Sequence, residues 1–121
     1  MRRLLAIAVL PLCLAACGSS SERTQVPGGD PSRGHRLIIQ YGCGACHTIP
    51  GIRGADARVG PSLSDFGTKT RFVAGQLPAT PDNTQRWIEN PPKIEPGTLM
   101  PNLGVTANDA RDITAYLFQR T

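Results

Sequence analysis

Residues 43–47 read Cys43-Gly44-Ala45-Cys46-His47, and their reading decides how the rest of the chain is understood. Two thiols three positions apart share one turn, and an imidazole follows at once. The two residues between the thiols are small, so the backbone there can lie close against a flat partner. The chain has four cysteines, a number that in an exported protein could mean two disulfides. Position argues against that. Cys13 lies inside an apolar leader and Cys17 stands at its end, so only Cys43 and Cys46 remain.

Three bland readings of the pair fail on chemistry. A thioredoxin-like redox pair needs a βαβ context, and no strand pattern surrounds it. A structural zinc site needs four ligands; Cys43, Cys46, His47 and His35 are the only soft candidates, and adjacent Cys46-His47 is poor tetrahedral spacing. A simple disulfide leaves the histidine without a purpose. C-x-x-C-H is the signature of haem attachment. Each thiol can add to one vinyl group, and the next residue then presents its imidazole to the iron. The expectation is one haem c, covalent through Cys43 and Cys46, with His47 as an iron ligand. A large cofactor also answers a shortage. The chain has 121 residues, 5% aromatics, 13 Gly and 11 Pro, too short and loop-rich to bury a sufficient core unaided.

Upstream, Met1-Arg2-Arg3 is a positive start, Leu4 to Leu14 an apolar run, and Ala15-Ala16 a small-residue cleavage site, the layout of a secretory signal. The run is too short for a permanent span, which needs about 20 apolar residues. Leu14-Ala15-Ala16-Cys17 resembles the bacterial lipobox, so residues 1–16 are expected to be removed and Cys17 to carry lipid. Loss of Arg2 and Arg3 leaves eleven cations against nine anions. That balance gives no clustered basic face and argues against a nucleic-acid partner.

Residues 17–29, polar and Gly-rich, read as a flexible tether with a reach of roughly 20 Å, and residues 30–121 as the folded domain. Asp30-Pro31 pairs an N-cap with a first-turn proline, and so does Thr80-Pro81. They open helices expected to end at Gly42 and before Pro91-Pro92. Short helical stretches are expected over Ser62 to Gly67 and Arg71 to Ala74, a turn over Leu77 to Thr80, and an extended loop over 91–104. The last helix starts at Thr106, with Asp109 in a capping-box-like position.

Once the leader is gone, Met100 is the only methionine, and it lies in that Pro-rich loop, not on a helix face. A thioether is a soft ligand that favours ferrous iron, so Met100 is expected to fill the sixth position. His35 is a rival, and Lys69 and Lys93 would first have to lose a proton. A sixth ligand turns a haem toward electron transfer and away from gas binding.

Together with the haem motif, Gly60-Pro61-x-Leu63, Trp87 and Gly97-Thr98-Leu99-Met100-Pro101-Asn102 resemble class I cytochromes c. Ala74-Gly75-x-Leu77-Pro78-x-Thr80-Pro81 and Trp87-Ile88-x-Asn90-Pro91 resemble, more narrowly, the cytochrome c domain of caa3-type oxidase subunit II. The resemblance covers about residues 30–120. It implies a small all-α fold, with the helix containing Gly34 crossing the last helix near Tyr116 and Leu117. It implies that the Pro61 carbonyl receives the His47 Nδ1–H and that Trp87 donates to a haem propionate. Where the family often places an Arg for a propionate, this chain has Lys69, with Arg71 two residues on; either could serve. No copper domain and no membrane-spanning pair accompany the motif.

The expectation for function is a monomeric one-electron carrier, not an enzyme, on the outer side of a bacterial membrane. Its donor would be a quinol-oxidising complex or a dehydrogenase, and its acceptor a terminal oxidase or reductase. The alternatives are a haem subunit of a periplasmic dehydrogenase, and a gas sensor or peroxidase.

Overall fold

Asp30 accepts backbone N–H bonds from Ser32 (2.9 Å) and Arg33 (3.1 Å), and Pro31 needs no partner for a missing N–H. These groups start α1 (Pro31–Gln40), which stops at Tyr41 as Gly42 takes a left-handed φ of 72°. The computed structural model describes residues 24–119, so the leader and Cys17 lie outside the described residues. After α1 come a tight single turn at Cys43–Ala45, a second at Phe66–Thr68, β1 (Arg71–Phe72), β2 (Leu77–Pro78), α2 (Pro81–Glu89), α3 (Pro91–Ile94) and α4 (Ala107–Gln119). The architecture is helical with one two-residue antiparallel ribbon, consistent with a class I cytochrome c fold.

α4 is the spine. Ala110, Ile113, Ala115, Tyr116, Leu117 and Phe118 are all buried on it. Leu37 and Ile38 of α1, Ile88 of α2, and Ile49, Ile52 and Phe66 from the loops complete the core. Each such aliphatic or aromatic side chain stabilises by about 1.5–3 kcal/mol when taken out of water. α1 crosses α4 where a Cβ on Gly34 would lie 2.0 Å from the Asp112 carbonyl oxygen. The crossing is therefore at Asp112–Ile113, about one turn before the expected Tyr116–Leu117. The missing side chain lets the two backbones touch, and that contact sets the register.

A polar clasp closes the same crossing. The Arg33 guanidinium bridges Asp109 and Asp112, at 2.6 Å to Asp112 Oδ2. Tyr41 Oη donates to Asp109 Oδ2 (2.7 Å), and the Asp30 N–H to Asp112 Oδ1 (2.9 Å). Thr106 Oγ1 accepts the Asp109 N–H at 3.2 Å, as a cap should. The Asp109 carboxylate does not complete a capping box, because Arg33 and Tyr41 hold it.

Five local expectations need correction. Arg71–Ala74 is not helical and Leu77–Thr80 is not a plain turn: Arg71 pairs with Pro78 and Phe72 with Leu77. The ribbon exists because the Arg71 side chain donates to the carbonyls of Gly75 (2.6 Å) and Gln76 (2.8 Å) and holds its turn closed. Of the stretch Ser62 to Gly67, only its end is helical, as part of the Phe66–Thr68 turn. Pro91-Pro92 ends α2 but also opens α3 inside the expected loop, since prolines are tolerated in a first helical turn. The tether does not run free to Gly29: Val26 is buried in the core, and its carbonyl accepts the Gly29 N–H at 3.0 Å.

Candidate haem site

Left-handed Gly42 turns the chain out of α1 and into the Cys43–Ala45 turn. The amides of Cys46 (3.2 Å) and His47 (3.1 Å) both reach the Cys43 carbonyl, so two half-buried thiols and the imidazole share one knuckle of backbone. Both thiols are free. Burial pushes the Cys43 thiol above its ordinary range, which opposes the thiolate character a redox dithiol needs.

The following loop folds back under this knuckle. Ile49, Ile52 and Ala55 are buried. The Ile49 amide bonds the Ala55 carbonyl (2.9 Å), Thr48 Oγ1 the Ala57 carbonyl (2.9 Å), and the Gly60 amide the Cys46 carbonyl (2.7 Å). The loop is fastened from outside by Tyr116 Oη on the Pro50 carbonyl (2.8 Å) and by His35 Nε2 on the Gly51 carbonyl (3.2 Å). His35 also stands edge-on to Tyr116. It is therefore engaged in holding the loop and is not placed as the iron ligand that rivals Met100.

The loop delivers Gly60-Pro61 to His47. A Cβ on Gly60 would lie 2.5 Å from His47 Cε1, so only glycine lets the ring lie there. His47 Nδ1 is 2.7 Å from the Pro61 carbonyl oxygen. A carbonyl can only accept, so Nδ1 carries the proton, and in the neutral ring Nε2 keeps its lone pair for a metal.

Met100 arrives from the other half of the molecule. Its amide bonds Thr98 Oγ1 (3.3 Å), and its sulfur accepts the Trp87 indole N–H at 3.1 Å. α2 aims Trp87 at the thioether. A thioether sulfur has a second lone pair, which remains for a metal. Behind Trp87 runs a file of edge-to-face rings, Trp87–Phe72 (6.3 Å), Phe72–Phe66 (5.6 Å) and Phe66–Phe118 (5.7 Å), ending on α4. Each such pair contributes about 0.5–1.5 kcal/mol and ties the wall bearing Met100 to the core. Leu63 and Phe72 pack on the core and are only partly buried.

Of the two cations in question, Arg71 donates through Nε and Nη2 to the ribbon carbonyls. Lys69 is exposed, and its ammonium makes no hydrogen bond among the described residues. Among the described residues no group of three or more His, Cys, Asp or Glu could hold a bare ion. One imidazole, one thioether and two thiols on a knuckle, beside apolar walls, fit instead a flat cofactor that supplies most of its own metal ligands.

This donor set on a small helical frame defines a c-type haem protein. The cytochrome c family model matches residues 31–120. Cytochrome c-554 of Methylosinus trichosporium is 30% identical over 93% of this chain and 92% of its own length. Cytochrome c2 of Rhodopila globiformis is 36% identical over 75% and 93%. Cytochrome c oxidase subunit 2 of Bacillus subtilis (strain 168) is 31% identical over 69% of this chain, which spans only 24% of that subunit. The chain belongs to the cytochrome c family: it binds one haem c through Cys43 and Cys46 and is a monohaem electron-transfer protein. The motif was legible at once; the Trp87–Met100 bond and the His35–Tyr116 fastening of the loop were not, because each joins residues far apart in the chain.

Proposed function

We propose that this protein is a lipid-tethered, extracytoplasmic carrier of single electrons in a respiratory chain, with His47 and Met100 as the axial ligands. The haem supplies the one-electron couple of its iron. His47 is held by Pro61 with Nε2 free to bind. Met100 presents a sulfur whose electron density is drawn off by the Trp87 N–H, which favours the ferrous state. Lys69 is the cation available for a propionate.

The 2.7 Å contact of His47 Nδ1 with the Pro61 carbonyl carries the reading, because it leaves one defined nitrogen for the iron. Resemblance to oxidase subunit 2 proteins supports a terminal oxidase as acceptor. The donor is then a quinol-oxidising complex or a dehydrogenase. Removal of residues 1–16 and lipid on Cys17 place the domain outside the cytoplasm. Among the described residues no helix is long and apolar enough to cross a membrane.

The test is an absorption spectrum of the chain matured in a host able to attach haem c. A weak far-red sulfur-to-iron band in the oxidised form, with no change when CO meets the reduced form, is expected. Ready CO binding without that band would overturn the ligand pair and favour a sensor. Cys17→Ser should release the protein from membranes; retention would refute the lipid anchor.

A further inference from the structure

His35 and Tyr116 come from the two crossing helices and end on adjacent carbonyls of one loop. Tyr116 Oη, on α4, donates to the Pro50 carbonyl at 2.8 Å, and His35 Nε2, on α1, donates to the Gly51 carbonyl at 3.2 Å. A carbonyl only accepts, so this His35 proton sits on Nε2. The two rings brace each other edge-on, with centroids 5.5 Å apart. One such bond would leave the loop tip free to swing about it. Two bonds, on neighbouring carbonyls and from different helices, fix both its position and its tilt. Both side chains stand beside the closest approach of the helices, since His35 follows Gly34 and Tyr116 lies one turn beyond Asp112. From the tip the chain returns to His47 in short steps. The Ala55 amide donates to the Ile52 carbonyl (3.2 Å), the Ile49 amide to the Ala55 carbonyl (2.9 Å) and Thr48 Oγ1 to the Ala57 carbonyl (2.9 Å). Arg58 and Val59 follow, both exposed, and then Pro61 meets His47 Nδ1 at 2.7 Å. No buried side chain between Ala57 and Gly60 absorbs a shift of the tip.

We propose, resting on His47 as an axial ligand, that His35 and Tyr116 are positioning residues for it. They hold the Pro61 carbonyl against the His47 ring and so keep the reduction potential down. A firm bond from Nδ1 makes the imidazole a more basic donor, and a more basic donor favours ferric iron. When the loop tip slackens, that bond lengthens, the ring donates less and the ferrous state gains. The Gly60 amide on the Cys46 carbonyl (2.7 Å) and the Leu63 amide on the Thr48 carbonyl (2.9 Å) hold Pro61 from its other side. The effect is therefore graded and stops short of losing the ligand. The register of α1 against α4 then bears on the electron chemistry and not on stability alone.

The test uses the haem-loaded chain. Tyr116→Phe and His35→Phe each remove one donor and keep a ring in place, while His35→Gln returns an amide N–H to where Nε2 stood. In each Phe variant, NMR should show the His47 Nδ1 proton exchanging with solvent about fivefold faster, the factor set by one ordinary hydrogen bond. The ferrous-to-ferric ratio at a fixed applied potential should rise about twofold, as expected of a less basic imidazole. The double variant should move both readouts further, and His35→Gln should stay near wild type. The far-red band should not change, since none of these residues touches Met100. Phe variants that lose thermal stability but keep the wild-type Nδ1 exchange and redox ratio would overturn the proposal. So would a His35→Gln shift as large as that of His35→Phe. A wild type whose His47 ring protons show no iron-induced shift would remove the ligation reading itself, and the proposal with it.

Discussion

The two halves of the haem site are built differently. On the His47 side, backbone bonds follow one another from Cys43 to Leu63, and two side chains from α1 and α4 fasten the loop from outside. On the Met100 side, the segment from Gly97 to Gly104 is largely exposed. It is held by the Thr98 amide on Glu95 (3.1 Å), the Met100 amide on Thr98, the Gly104 amide on Asn102 (2.8 Å), and Trp87 on the sulfur. One ligand is part of the frame; the other hangs from it. On the proposed ligation, the sixth bond is therefore the one that yields first under heat, denaturant or mutation.

Met100→Ala should break the weak side alone. The potential should drop by on the order of 0.2 V, within the roughly 0.8 V range that axial ligation spans, and the ferrous form should bind CO. The helical content should stay near wild type, read by circular dichroism, because nothing on the His47 side depends on that sulfur. A collapse of the fold would mean that the halves are not separable.

Gly34→Ala should break the strong side instead. A Cβ 2.0 Å from a backbone oxygen cannot be accommodated by a rotamer change, and overpacking of this kind costs about 3 kcal/mol or more. Urea denaturation of the haem-loaded protein would measure it. A loss under 1 kcal/mol would show that the crossing is looser than the contact implies.

Acid should also act on the strong side. Tyr41 and Arg33 hold the Asp109 carboxyl below the ordinary range. Burial pushes Asp112 up, but the Asp30 N–H and Arg33 outweigh it and the net shift is down. With both folded values below an unfolded value of about 3.9, their stabilisation is complete above that pH. It is lost as pH falls through the folded values. Asp112→Asn should cost about 1–3 kcal/mol at pH 7 and less at a pH below about 3.9. An equal loss at both pH values would show that shape, not charge, makes the clasp.

The smallest effect sharpens the comparison from within the weak half. Trp87→Phe keeps the ring packing but removes the N–H from the sulfur. A hydrogen bond of about 1 kcal/mol corresponds to about 40 mV for one electron. The potential should fall by that order, in redox titration, since an undonated sulfur is a better ligand for ferric iron. An unchanged potential would make Trp87 a packing residue only.

What the sequence made legible follows the same division. The Cys43–His47 string, the Asp30-Pro31 and Thr80-Pro81 starts, and the solitary Met100 are local patterns, and each lies where the chain chemistry puts it. Gly34 was visible as a helical glycine, but its contact with Asp112 was not, because the register of two helices belongs to neither alone. Arg71 closes its own ribbon, a role that nothing in its sequence neighbourhood announced. Two-residue strands are too short to show any alternation, so the ribbon had no signature. Trp87 and Met100 are thirteen positions apart on different elements, and no periodicity joins them.

Val26 has a mechanical consequence. Its side chain is sunk in the core, and four residues later the Asp30 amide bonds Asp112. Tension applied at the N-terminus is therefore taken up by the core and α4 before it can reach α1 or the knuckle at Cys43. Drag on a chain fastened at its N-terminus would turn the whole domain as a rigid load.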